Sequence, residues 1–321
     1  VALYAPIAAI GRQMGLATLG TLHERVGEEE NIRDLQSDSP YANGGWARAI
    51  GERSRNRWDG TVEARATGDL FGMQAGFDII RTRPYAGGHR DIAGVYVAYT
   101  NYDAPSVSGF ALGQRGLQVG RLSLEGPSAG LYWTHFGPSG WYVDAVLQAN
   151  WFDVKARSDF ATALSTNGTG YAASLEAGYP IRFGQGGAWQ IEPQAQIIYQ
   201  SVSVDRARDA MSAVDWDADD AWTGRIGARL QYTAQTPEAL WQPYAKVNLW
   251  HGFSGNDRIR FGGDAPIENR FGQTALEVGA GVTARVNQNL SFYGSADYRW
   301  SVDGDNRETA VQGSIGIRFN W

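Results

Sequence analysis

The sequence predicts an all-β membrane barrel: a 12-stranded antiparallel transmembrane β-barrel with an N-terminal α-helix in its lumen. Three observations predict it. From Gly44 onward, about twelve segments show period-2 patterning or strand-like composition. In the clearest of them the apolar set is closed at its ends by Trp or Tyr, while the opposite set carries Glu, Arg and Asp in mid-strand. Tight turns also alternate with longer polar connections along the chain. An outer-membrane barrel wants an apolar outside with aromatic girdles, a polar lumen, short turns at one end and long loops at the other. A two-sheet sandwich alternates too, but has no reason to cap its strands with Trp or Tyr.

Composition agrees. The chain has 321 residues, enough for two average domains or one large barrel. It is 43% hydrophobic, with a mean hydropathy of -0.35. No run approaches the roughly 18 apolar residues of a spanning helix. A barrel needs none, because its lipid face uses every second residue. The 41 glycines, 12 tryptophans and 15 tyrosines are what a curved membrane sheet with aromatic girdles consumes. A net charge of -6 argues against nucleic acid as a partner. The absence of cysteine excludes disulfides and thiolate metal sites. The chain starts at Val1 without a signal peptide, so a targeting segment is expected upstream.

Leu3 to Gly27 is the long segment with helical character. Ile7, Ile10, Met14, Leu19, Leu22 and Val26 recur at steps of three or four and fall on one side. Arg12, Gln13, Thr21, His23, Glu24 and Arg25 interrupt the rest. Pro6 suits a first turn and Gly27 a C-terminal cap. A helix through the whole segment would be about 35 Å long at 1.5 Å per residue, enough to cross a bilayer core. It carries too many polar groups to face lipid, so it is placed in the lumen. An amphipathic helix packed on a soluble β-domain is the alternative reading of the helix alone. Glu28 to Ser39 is a polar connector, and its three acids just after Val26 suit a helix C-terminus poorly. Residues 1–43 are thus read as helix and connector threading the pore, and residues 44–321 as the barrel.

Among the strands, Trp141, Val143, Ala145, Leu147, Ala149 and Trp151 alternate with Tyr142, Asp144, Val146, Gln148, Asn150 and Phe152. Ala173, Leu175 and Ala177 alternate with Ser174 and Glu176. Ile191, Ala195 and Ile197 alternate with Glu192, Gln194 and Gln196. Trp222, Ile226, Ala228 and Leu230 alternate with Thr223, Arg225 and Arg229. Leu276, Val278, Ala280 and Val282 alternate with Glu277 and Thr283. Gly137 to Gly140, Gln185 to Ala188 and Asn287 to Asn289 read as tight turns. Val154 to Asn167, Val204 to Asp220, Ser254 to Gln273 and Ser301 to Glu308 read as longer polar loops.

In the last strand, Val311, Gly313, Ile315, Ile317, Phe319 and Trp321 form one face. Ser314, Gly316, Phe319 and Trp321 fit polar–x–Gly–x–x–apolar–x–aromatic, which resembles the C-terminal signal read by the bacterial barrel-insertion machinery. LATLGTLHERVGE (Leu16 to Glu28) resembles the linker of autotransporters, the type V secretion proteins. WYVDAVLQANWF (Trp141 to Phe152), SLEAGYPIRF (Ser174 to Phe183), IEPQAQIIY (Ile191 to Tyr199), TGRIGARLQY (Thr223 to Tyr232) and QPYAKVNLWHGF (Gln242 to Phe253) are similar to successive strands of their translocator domain, in the family's order. The resemblance implies a passenger domain preceding residue 1 and exported to the cell surface, with the helix connecting passenger to barrel and then occluding the pore. It implies the bacterial outer membrane, with long loops extracellular and the C-terminus periplasmic. The expected partners are that passenger, outer-membrane lipids and the insertion machinery; a monomer, without cofactor or enzymatic activity, is expected.

Carried over residue by residue, Asp144, Glu176, Glu192, Arg225 and Arg229 match lumen positions of the family, and Gln148 shares their alternation. An Arg on the lipid face would cost about 2–4 kcal/mol at the midplane. Arg12, Glu24 and Arg25 are the helix charges singled out, with Glu24 and Arg25 expected to meet the lumen set. Some family members cut their passenger off inside the barrel at a linker asparagine. Here no Asn precedes Asn31, so cleavage within the barrel is not expected, and Asn31 and Asn43 remain as outside candidates.

Other chemistry finds little support. Gly126-Pro-Ser-Ala-Gly130 matches G-x-S-x-G, but a strand rather than a helix follows it. His23, His89, His135 and His251 are far apart in sequence without metal spacing; His89 with Asp91 is the single close pair. Asp215, Asp217, Asp219 and Asp220 read as a solvated acidic loop before they read as a calcium site. A porin and a surface hydrolase in a barrel rim remain the rival membrane readings.

Overall fold

The computed structural model describes residues 1–28, 44–82, 87–160, 162–287 and 289–321. Apart from Glu28, the polar connector lies outside the described residues, as do Asn31 and Asn43. Twelve long strands form the barrel: β1 (Gly44–Trp58), β2 (Arg65–Thr82), β3 (Arg90–Ala111), β4 (Gln114–Phe136), β5 (Tyr142–Ser158), β6 (Ala163–Gly178), β7 (Trp189–Val204), β8 (Ala221–Tyr232), β9 (Leu240–Phe261), β10 (Ile267–Arg285), β11 (Leu290–Gly304) and β12 (Asn306–Asn320). Each runs antiparallel to the next. β1 pairs with β12 from Gly44↔Asn320 to Trp58↔Asn306, which closes the ring and leaves no open edge between first and last strand.

Strand β5 shows why the sheet closes around a membrane. Leu147 and Trp151 point outward, 59% and 47% exposed, and Asp144 and Gln148 point inward and are buried. Outward apolar side chains lower the energy in lipid, while inward polar ones find partners in the lumen. Past Trp151 the same strand inverts. Asp153, Lys155 and Arg157 point outward, and Val154 and Ala156 are buried inside. This end of the barrel is built like a soluble one.

Two expectations change as a result. The predicted long loops are mostly strand: β5 and β6 run on to Ser158 and from Ala163, β9 and β10 to Phe261 and from Ile267, and β11 and β12 are separated by Asp305 alone. Charged residues there look like loop, but their alternation with buried Val, Leu and Ala keeps the backbone paired. Only 205–220 remains a long excursion, and its short strand Ala213–Asp217 pairs with β9. The lumen is also not polar throughout. At the loop end Leu122, Leu124, Val154, Leu164, Val202 and Ile259 form an apolar core with Leu3, Ile7 and Ile10.

The N-terminal segment occupies that interior as two helices, α1 (Ile7–Leu19) and α2 (Leu22–Val26), rather than one continuous helix. Gly20 stops α1 at φ +58, where a Cβ would also meet the Arg48 guanidinium. Thr21 then turns extended and starts α2 with a capping box: its hydroxyl accepts from the Glu24 N–H and its own N–H donates to the Glu24 carboxylate at 3.1 Å. Pro6 is the N-cap of α1, and Gly27 caps α2 by donating its N–H to the His23 carbonyl. α1 is therefore about 20 Å long, not 35 Å. The stripe Ile7, Ile10, Met14, Leu19, Leu22 and Val26 is buried, but so are Arg12, Thr18, His23 and Arg25 on the other sides. A barrel surrounds its contents, so the helices need partners all round.

Candidate functional site: the occupied lumen

The helices are held from α1 to the end of α2 by side chains from the barrel wall. Arg12 pairs with Asp257 of β9, donates to the Asp219 carbonyl at 3.3 Å and lies 4.2 Å from the centre of the Phe271 ring. Gln148 donates to the Gly15 carbonyl at 3.0 Å and the Thr18 hydroxyl at 2.9 Å, and is itself held by the Tyr96 hydroxyl at 2.6 Å. The last carbonyls of α1 lack intrahelical donors. Arg48 and Gln74 supply them, each donating to the Thr18 carbonyl, at 3.0 and 2.9 Å. A cation at that end also suits the helix dipole.

Around α2 the contacts are ionic. The Glu176 carboxylate accepts the Leu22 N–H at 3.1 Å and pairs with Arg225 at 3.3 Å. His23 Nε2 lies 2.7 Å from Glu192. Arg25 Nη2 donates to both oxygens of Asp144, at 2.7 and 2.9 Å, and both residues are buried. Glu28 pairs with Arg229, whose guanidinium lies 3.8 Å from the Tyr244 ring centre. Beyond these, Tyr293 donates its hydroxyl to the Arg25 carbonyl at 2.8 Å, its ring lying where a Cβ on Gly316 would be. Each of these buried charges around α2 has a counter-charge, as the interior of a protein requires, whereas buried Arg48 is met by Gln74 and the carbonyls of Ala17 and Thr18.

The structure thus brings Asp144, Gln148, Glu176 and Glu192 onto the helices directly, and Arg229 onto Glu28. Arg225 reaches the helices indirectly, through Glu176 and through Gln196, which accepts from Arg225 at 2.9 Å and donates to the Gly20 carbonyl at 3.3 Å. Glu24 does not meet any of the lumen residues singled out from sequence. It pairs at 2.7 Å with Lys246, which is also 3.0 Å from Asp297. The sequence signal for Lys246 is its alternation alone: Tyr244, Lys246 and Asn248 fall on one side of β9. Arg48, Gln74 and Asp257 are buried at inward positions of β1, β2 and β9, where alternation is the signal that marks them. Phe319 and Trp321 lie outside on the terminal strand, 48% and 62% exposed, while Gly316 faces the lumen.

The space left beside α1, between Arg12, Gln13, Trp250 and Arg299, is a cavity of 130 Å³. At the loop end Tyr4 donates its hydroxyl to Asp209 at 2.8 Å and accepts Trp216 Nε1 at its carbonyl. Burial, together with Asp209, pushes the Tyr4 hydroxyl up to about 12. Burial opposes ionisation of Asp209 as well, but the N–H groups of Ser212 and Met211 and the Tyr4 hydroxyl hold its carboxyl below the usual range.

The residues considered for other chemistry fall elsewhere. Ser128 sits buried in mid-strand β4, which is no nucleophile elbow. His89 and His135, distant in sequence, meet across β3 and β4 with nitrogens 3.1 Å apart, and His135 bonds Asp91 at 2.9 Å. Asp217 and Asp219 pair with arginines Arg258 and Arg260 of β9, and Asp220 accepts the Tyr199 hydroxyl. Among the described residues no group of three or more His, Cys, Asp or Glu is placed to hold a metal ion.

The family model described as "Autotransporter beta-domain" matches residues 45–297. The chain belongs to the autotransporter β-domain family. This β-domain is 29% identical over 334 residues to the Adhesin BmaC autotransporter of Brucella suis biovar 1 (strain 1330), covering 97% of the chain and 9% of that protein. It is 29% identical over 318 residues to the protein YdeU of Escherichia coli (strain K12), covering 94% of the chain and 65% of YdeU. The β-domain therefore spans less than two thirds of these relatives. Its fold matches the transport unit of the autotransporter AIDA-I from Escherichia coli with a TM-score of 0.76 at 20% identity, over 99% of this chain and 100% of that one. The β-domain is an outer-membrane translocator of a passenger domain.

Proposed function

We propose that residues 1–43 are the linker along which an N-terminal passenger is exported, and that residues 44–321 are the translocator that carries it to the cell surface. The observation that carries this reading is the path of residues 1–28. Tyr4 lies at the loop end, against 205–220, and Glu28 lies near the turn end, on Arg229. A passenger joined before Val1 would emerge at the loop end. That end is read as extracellular and the C-terminus as periplasmic, with Gly316, Phe319 and Trp321 recognised by the insertion machinery. After export, the ionic contacts of Arg12, His23, Glu24, Arg25 and Glu28 hold the helices as a plug. The protein acts as a monomer without cofactor or nucleic acid and catalyses no reaction. The passenger is not cut within the lumen.

The test is a reporter fused before Val1 and expressed behind a secretory signal in a Gram-negative cell. External protease on intact cells is expected to remove the reporter and spare the barrel. A reporter protected in intact cells, and cut only after the outer membrane is permeabilised, would replace this reading with that of a porin.

A further inference from the structure

The outward face of β12, β1 and β2 carries a basic lattice that the fold leaves largely unneutralised. Arg57 sits directly opposite Arg307 on one side and Arg65 on the other, three arginines in one row. Cβ atoms at such positions are about 4.5–5.5 Å apart, and like charges there repel. Two further steps along β1, at about 3.3 Å per residue, bring Arg55, flanked by Thr309 and Thr67, and then Arg53, flanked by Val311 and Asp69. Arg53 is 3.7 Å from Asp69, and Arg57 is 3.6 Å from Glu63 and 3.9 Å from Asp59. Arg55, Arg65 and Arg307 are exposed and make no ion pair among the described residues. This positive surface stands out in a chain of net charge -6.

Directly beneath, the face becomes apolar and dips. Gly51 pairs with Gly313 and Phe71 at the next level, with Ala49 below. Phe71, Met73, Val311 and Ile315, each 56–70% exposed, stand on either side of these small residues. A basic lattice with hydroxyls, above a shallow apolar trough, is complementary to one chemistry: phosphates carried on several acyl chains. Guanidinium groups bind phosphate oxygens in bidentate fashion, and acyl chains cover small residues between larger walls. We propose that this face seats a bis-phosphorylated, multiply acylated glycolipid of the outer leaflet. Its phosphates lie among Arg55, Arg65 and Arg307, and an acyl chain lies over Gly51 and Gly313. The choice of leaflet rests on the loop end being extracellular.

The test uses the full chain, delipidated and refolded in detergent, with native mass spectrometry after addition of bis-phosphoryl lipid A, phosphatidylglycerol or inorganic pyrophosphate. Lipid A is expected to be retained at a concentration at least tenfold lower than phosphatidylglycerol. The combined variant Arg55→Glu, Arg65→Glu, Arg307→Glu is expected to lose at least tenfold in lipid A retention, and a smaller factor for phosphatidylglycerol, which carries a single phosphate. Heat-dependent gel mobility reports folding of the variant, and Gln at the three positions replaces Glu if the barrel does not form. Equal retention of lipid A and phosphatidylglycerol, or unchanged lipid A retention in a folded variant, overturns the proposal. Pyrophosphate held as tightly as lipid A overturns the lipid assignment. Orientation is read separately, from labelling of Gly263→Cys in intact cells by a membrane-impermeant maleimide, the chain having no other cysteine. No labelling there refutes the extracellular placement of this end, whatever the lipid result.

Discussion

Arg25→Met is the substitution that most directly tests whether the helices are latched in the lumen. Arg25 is fully buried, and it meets Asp144 through two bonds from a single nitrogen, Nη2. Removing one partner of a buried pair costs about 3–5 kcal/mol, because the other charge is left without compensation. At 1.4 kcal/mol per tenfold, the equilibrium between seated and released helices shifts by roughly a hundredfold to a few thousandfold. The remaining contacts of α2, Glu24 with Lys246 and His23 with Glu192, still oppose release. The assay is single-channel recording in planar bilayers, with heat-dependent gel mobility as the check on barrel integrity. Arg25→Met and Asp144→Asn are each expected to raise the open fraction about a hundredfold. Together they should raise it by less than the product of the two, since neutralising both partners removes the stranded charge. Arg25→Lys should stay within about tenfold of the wild type, because a single donor nitrogen carries both bonds. Wild-type conductance in a folded Arg25→Met barrel, alongside an open pore when residues 1–27 are deleted, would refute the latch. So would a double variant whose effects simply multiply.

Deleting Val1 to Gly27 should raise ion conductance sharply, and a full-length chain that already conducts like an open porin would contradict the plug. Gly316→Val puts a side chain where the Tyr293 ring lies; overpacking of this kind costs about 1–3 kcal/mol, read as a lower temperature for loss of the compact gel form after refolding in vitro. Gly20→Ala forces an L-residue to φ +58 and ψ -169 against Arg48 and should cost about 1–3 kcal/mol, seen as more frequent channel openings. Leu124→Ala, in the apolar core at the loop end, should destabilise the barrel by about 2–5 kcal/mol, measured by urea unfolding in detergent.

Much of the barrel was legible because a strand repeats every two residues and lipid tolerates only one kind of face. Ala145, Leu147 and Trp151 against Asp144 and Gln148 place the wall, the membrane and the lumen without reference to any distant residue. The same rule misled where its sign reversed. Lys155 and Arg157 read as loop because a membrane strand should not carry them outward, yet Val154 and Ala156 behind them continue the pairing. The helical stripe from Ile7 to Val26 masks a break that the sequence does signal, since Gly20 is a poor helix former and Thr21 with Glu24 has capping-box spacing; the carbonyl donors Arg48 and Gln74, which close the end of α1, come from distant strands.

By itself, the sequence determined a closed sheet, its two faces and the presence of a polar-studded helix too charged for lipid. Those are properties of local period and side-chain chemistry. Which charge meets which was decided by the tertiary structure alone. Arg25 and Asp144 are separated by 119 positions, Glu24 and Lys246 by 222. Such pairs depend on the register of twelve strands and on the rotation of a five-residue helix inside them, and a shift of one residue in either would give every buried charge a different neighbour.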